Sequence, residues 1–160
     1  MISVPALLER LAAHGQTVAI AESLTGGELT AMMTAVPGAS RVVRGGLVVY
    51  ATETKATVAG VDPELLDSVG PVDGRVAAAL AEGARSVLAA SFGIGVTGVA
   101  GPDRQSGHPV GEVHLAVAGP VGLVTATRDL ASAGDRTQIR RAACECAILL
   151  LDEACREAGF

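Results

Sequence analysis

Hydrophobic and polar positions along this chain switch between a helical period of about 3.6 residues and a strand period of about 2, with glycine and proline at the changes. Leu7, Leu8, Leu11 and Ala12 keep helical spacing after Ser3 and Pro5, which predicts an opening helix that runs to Gly15. Residues 17–22 form a short apolar run, the expected first strand. A helix follows from about Gly27 to Val36 and is stopped by Pro37-Gly38. "GGLVVYA", residues 45–51, has the continuous apolar character of a buried second strand. A short helix over 52–59 and a helical turn or two in "DPELLDSVG" precede a long alanine-rich helix over 74–90, with Asp73 as its N-cap. "FGIGVTG", residues 92–98, is another buried strand. Residues 111–118 and 121–129 then alternate around "AGPVG" as an antiparallel hairpin, and a last helix covers 135–157. Helices between buried strands, closed by one hairpin, predict an α/β fold. The expected form is a three-layer α/β/α sandwich with a mixed, mostly parallel sheet. With no repeat and no linker, residues 1–160 are expected to form one domain.

Composition sharpens this picture. Apolar residues make up 49% of the chain and aromatics only 2%, so the core must be Ala, Val, Leu and Ile, with small helices packed closely on the sheet. A net charge of −5 without clustered cations excludes a nucleic-acid surface, and the scarcity of aromatics removes a stacking platform for single strands. No uninterrupted apolar run is long enough to span a bilayer, and the N-terminus lacks a basic region leading into an apolar one. No membrane partner is therefore expected, and a cytoplasmic location is. Cys144, Cys146 and Cys155 all fall on the last predicted helix. An odd number there is poor material for a disulfide framework, and C-x-C without a nearby His is a weak metal signal. Neither metal nor cofactor is expected. Apolar positions left exposed on Ala- and Val-rich elements suggest a homo-oligomer, most simply a two-fold homodimer.

Candidate chemistry gathers at two places. In "AIAESLTGGEL", residues 19–29, Ser23 ends a strand just before Gly26 and Gly27 open a helix. One reading is a nucleophile beside free N–H groups at the positive end of a helix; the other is a plain helix cap. The chain has eleven arginines but one lysine, Lys55, five residues after its one tyrosine, Tyr50. A desolvated lysine can lose its proton and arginine cannot, so Lys55 is either a proton acceptor or an accident of composition. The three histidines, His14, His108 and His114, make no obvious Ser-His-Asp order.

Five segments together carry a resemblance: "AESLTGG", "VPGASRVVRGGLVVYATETK", "GVTGVAGP", "HPVGEVHLAV" and "GDRTQIRRAA". They resemble the CinA C-terminal domain, the nicotinamide-nucleotide deamidase (PncC) family, from about residue 5 to residue 157. Larger CinA proteins carry a further N-terminal domain, so this chain is similar to the stand-alone form. The resemblance implies hydrolysis of the carboxamide of nicotinamide mononucleotide, a pyridine mononucleotide, at a metal-free site. It implies Ser23, Tyr50 and Lys55 as the catalytic set. Backbone N–H groups of Thr25, Gly26 and Gly27 are candidates for the oxyanion hole. Thr97, Gly98 and Gly101 are candidate substrate contacts at and beyond a strand's carboxyl end. Glu22, pointing away from Ser23, is expected to support the substrate site or to pair with an arginine. Arg136 and Arg140 either bind the phosphate or pair with Asp129 and Asp135. The loop departs from the family's usual glycines: Asp103, Arg104 and Gln105 are expected to narrow it and change its charge, and His108 stands where the family often has Lys.

Overall fold

Glycine and alanine set the spacing of the layers. The computed structural model describes residues 3–160. Its strands are β1 (Val18–Glu22), β2 (Val43–Val48), β3 (Phe92–Gly98), β4 (Glu112–Gly119) and β5 (Gly122–Asp129). Its helices are α1 (Val4–Ala13), α2 (Glu28–Thr34), α3 (Thr52–Thr57), α4 (Pro63–Val69), α5 (Gly74–Val87) and α6 (Arg136–Glu157). Two short 3₁₀ turns, Ala39–Arg41 and Ala131–Ala133, have no periodic signal in the sequence.

The five strands form one sheet in the order β2-β1-β3-β4-β5. β1 pairs in parallel with β2 and β3, while β3–β4 and β4–β5 are antiparallel. Only β4 is reversed, so the sheet is mixed and its strands mostly share one direction, as the hairpin pattern predicts. Helices α1, α2 and α6 pack on one face against Val18, Ile20, Phe92, Ile94, Val96 and Leu115. Helices α4 and α5 pack on the other face, where Ala19 and Ala21 meet Leu66, Val76 and Leu80.

β3 shows why the core on its α5 side uses small residues. Its large residues all face α6, whereas Gly93 and Gly95 face α5. A Cβ at Gly93 would overlap the carbonyl oxygen of Ala81, and one at Gly95 that of Ala77. Helix α5 therefore rides directly on the strand backbone.

The second strand differs from its expected form. It covers 43–48 rather than 45–51 and lies at the sheet edge, alternating half-buried and exposed positions. With no neighbour beyond it, Val48 is 51% exposed. The apolar run continues into Val49 and Tyr50 because those residues leave the sheet, Val49 turning inward and Tyr50 outward. Helices α2 and α5 are also shorter than expected, ending at Thr34 and Val87. Among the described residues no helix is long and apolar enough to cross a membrane.

The carboxyl ends of β1, β2 and β3 lie side by side. From β1 the chain passes to one side for β2 and to the other for β3, which places a crevice at the switch point.

Candidate active site

Ser23 stands one residue past β1, at the start of a turn in which Gly26 and Gly27 adopt positive φ (60° and 99°). Its N–H donates to the Val96 carbonyl at 3.0 Å, and its own carbonyl accepts from the Gly26 N–H at 3.0 Å. The backbone is thus fixed from two sides. The Ser23 hydroxyl does not cap α2. That helix begins after Gly27, which has no side chain to offer, and the cap comes from Glu22 instead. Glu22 is fully buried and accepts from the N–H groups of Leu29 (3.1 Å) and Thr30 (3.0 Å) and the hydroxyls of Thr25 and Thr30 (2.6 Å each). No arginine among the described residues pairs with it.

With capping taken over by Glu22, the Ser23 hydroxyl is hydrogen-bonded to one side chain among the described residues. Lys55 Nζ on α3 lies 3.0 Å from Ser23 Oγ. The lysine is 1% exposed and the serine 7%. Lys55 Nζ also donates to the carbonyls of Val49 (2.8 Å) and Tyr50 (3.4 Å). A neutral amine has two N–H bonds and one lone pair. The two carbonyls take the N–H bonds, and the remaining direction faces Ser23 Oγ. Loss of hydration pushes the Lys55 pKa down from 10.5 to about 8, against the opposing pull of Glu53. The amine is therefore neutral in an appreciable fraction of molecules near pH 7–8.

Tyr50 is 59% exposed at the mouth of this site, and its hydroxyl accepts from Arg136 Nη2 at 2.8 Å. The group of Tyr50 that is hydrogen-bonded to Lys55 is its main-chain carbonyl. Arg136 Nη1 donates to the Gly101 carbonyl, so the guanidinium bridges the mouth. Arg136 has no carboxylate partner among the described residues. Asp135 caps α6 through the Gln138 N–H (3.0 Å), and Asp129 accepts from the Ala131 N–H (3.0 Å). Arg140 is committed elsewhere, to the Thr25 carbonyl (2.6 Å) and to Glu28 (3.5 Å).

A cleft of about 100 Å³ opens over Ser23 and Lys55, and Tyr50, Thr97, Gly98, Gly101 and Arg136 line it. Glu22, Thr25, Gly26, Gly27 and Arg140 lie outside that lining. The Gly26 N–H, already bonded to Ser23, is unavailable to an oxyanion. Thr97 acts through its hydroxyl, which donates to the Pro71 carbonyl (2.7 Å) and fixes the Pro71–Val72 wall. That wall went unread in the sequence because "VGP" signals only a turn.

In the variant loop, Asp103 and Gln105 face the cleft, whereas Arg104 folds back onto the Gly107 carbonyl at 2.8 Å. His108 and His114 each meet Glu112 Oε1 at 2.8 Å and are absent from the cleft. The three cysteines are free, and burial pushes the Cys144 thiol up to about 12. No group of three or more His, Cys, Asp or Glu among the described residues is arranged to hold a metal ion.

The sequence model of the family described as "CinA C-terminal domain" matches residues 4–155. A "CinA-like protein" of Frankia casuarinae is 51% identical over 134 residues, covering 84% of this chain and 30% of the relative. Another from Anaeromyxobacter dehalogenans is 50% identical over 151 residues, covering 94% and 36%. The chain thus spans about a third of the length of these curated relatives. Among solved structures, a CinA superfamily protein of Escherichia coli superposes with a TM-score of 0.87 at 28% identity, covering 93% of this chain and 88% of the other. The competence/damage inducible protein CihA of Agrobacterium tumefaciens gives 0.80 at 34% identity, covering 92% and 94%.

Proposed function

The chain belongs to the CinA C-terminal domain family, and from that premise we propose that it is an amidohydrolase converting nicotinamide mononucleotide and water to nicotinate mononucleotide and ammonia. The observation that carries this reading is the buried Lys55 amine, 3.0 Å from Ser23 Oγ and oriented by two backbone carbonyls. A structural lysine would direct its charge to a carboxylate or to water. This one faces a hydroxyl and has a lowered pKa.

Ser23 Oγ attacks the amide carbonyl while Lys55 Nζ accepts the hydroxyl proton. The tetrahedral intermediate collapses as Lys55 returns that proton to the departing nitrogen, and ammonia leaves an ester on Ser23. Water, deprotonated by the same amine, then releases the carboxylate and restores Ser23. Acid–base assistance of this kind contributes about 10²–10⁴-fold. Leu24 and Ala100 line the cleft and the Thr25–Gly27 turn does not, so we assign the oxyanion donors to the backbone of the first two. Arg136 is a cation at the cleft mouth bonded only to neutral acceptors, which suits it to the substrate phosphate. Tyr50, held by Arg136, orients that guanidinium. A proton relay through the Tyr50 hydroxyl would need its ring to swing inward.

The test is ammonia release from a panel of carboxamides by the purified protein. Nicotinamide mononucleotide should be turned over, and Ser23→Ala should lower kcat by at least about 10³-fold. Turnover of another carboxamide alone would keep the amidase and replace the substrate. Binding of the nucleotide without ammonia release from any amide would make the chain a nucleotide-binding module.

A further inference from the structure

We propose that Glu22 is a positioning residue of this site: its buried carboxylate clamps the end of β1 to the first turn of α2 and so fixes where the Ser23 hydroxyl stands. This rests on the reading of Ser23 as a nucleophile and deepens it.

A turn carrying two positive-φ glycines has little stiffness of its own. Glu22 supplies it. Its two oxygens share four donors, two from the backbone of α2 and two from threonine hydroxyls, and no water reaches them. Its main chain is tied as well, its carbonyl accepting from the Val49 N–H at 3.0 Å. That bond joins the end of β1 to the segment whose carbonyls hold the Lys55 amine. One residue thus connects the serine's turn to the lysine's cradle.

The site is built for this carboxylate. Thr30 reaches Oε1 by lying directly over Gly46 of β2, where any Cβ would overlap the threonine hydroxyl. Glu22 also occupies the two N–H groups that would otherwise make the end of α2 an anion site. This agrees with the absence of that turn from the cleft lining.

Such a clamp acts through geometry. Its loss should slow the chemical step and leave substrate binding and the Lys55 titration in place. Glutamine would present an N–H₂ to donors, and aspartate keeps the charge but falls short of Leu29 and Thr30. The primary readout is the rate at which an uncharged fluorophosphonate labels Ser23, which needs no knowledge of the substrate. Glu22→Gln and Glu22→Asp should both cut that rate by about 10- to 100-fold, the usual penalty of an ångström-scale misplacement. On the substrate they should lower kcat with KM unchanged, and the pH midpoint of labelling should stay that of the wild type. Thr30→Val, which removes one bond from the carboxylate at constant shape, should slow labelling several-fold with little change in melting temperature.

Labelling at the wild-type rate in folded Glu22→Gln and Glu22→Asp would overturn the proposal. If neither folds, an unchanged rate in Thr30→Val overturns it and a slowed rate upholds it. A wild-type protein that does not label at all would instead refute the nucleophile reading, whatever Glu22 does.

Discussion

Lys55 works as a base only when its amine is neutral at the moment Ser23 attacks. Burial brings its pKa to about 8, so the rate of ester formation should rise with pH by about tenfold per unit and level off above that value. The midpoint of kcat/KM against pH measures it. A guanidinium stays protonated at every working pH, so Lys55→Arg should lower kcat at least about 10²-fold. A folded Lys55→Arg enzyme retaining more than about a tenth of kcat would leave Lys55 only an electrostatic role. Lys55 could be singled out because it is the one lysine in a chain rich in arginine. The two carbonyls that aim its amine could not, since backbone acceptors leave no trace in side-chain pattern. The same limit applied to Glu22: parity along β1 put it on the face opposite Ser23, but its four donors arise only when α2 folds back over it.

At the scale of elements, periodicity located the strands and most helices because each buries one continuous face. The full extent of β3 is visible in the sequence since both its faces are covered, whereas the bounds of β2 are not, because an edge strand and a buried one share the same apolar run. The long loop between β3 and β4 was legible as departing from its family, but which of its side chains meet the cleft was not. Asp103 faces inward and Arg104 away. A carboxylate close to an anionic substrate opposes binding, so Asp103→Gly should lower KM for nicotinamide mononucleotide several-fold with kcat unchanged. Arg104→Gly should leave both constants where they are. Steady-state kinetics of the two single variants decides it, and equal effects from both would mean the loop changes shape as a unit.

For the molecule as a whole, a lysine kept in the interior links folding to pH. Its folded-state pKa of about 8 lies below the 10.5 of an unhindered amine. Between those values the unfolded chain binds more protons, so the cost of burying the charge, constant below about pH 8, is relieved as pH climbs toward about 10.5. Relative to Lys55→Met, whose side chain does not titrate, the wild-type protein should gain thermal stability across that interval. Melting temperatures of the pair measured from neutral to alkaline pH should converge or cross in its favour, and a constant difference would mean the amine is not desolvated. The close fit of α5 on Gly93 and Gly95 has a consequence of another kind. A core with Phe92 as its one fully buried ring goes with a chain that has no tryptophan and a single tyrosine, Tyr50, at the mouth of the cleft. Nearly all of the protein's near-ultraviolet emission must then come from the ring that Arg136 holds. The unlabelled protein carries its own optical probe of ligand arrival, with only the weak emission of Phe92 and Phe160 behind it.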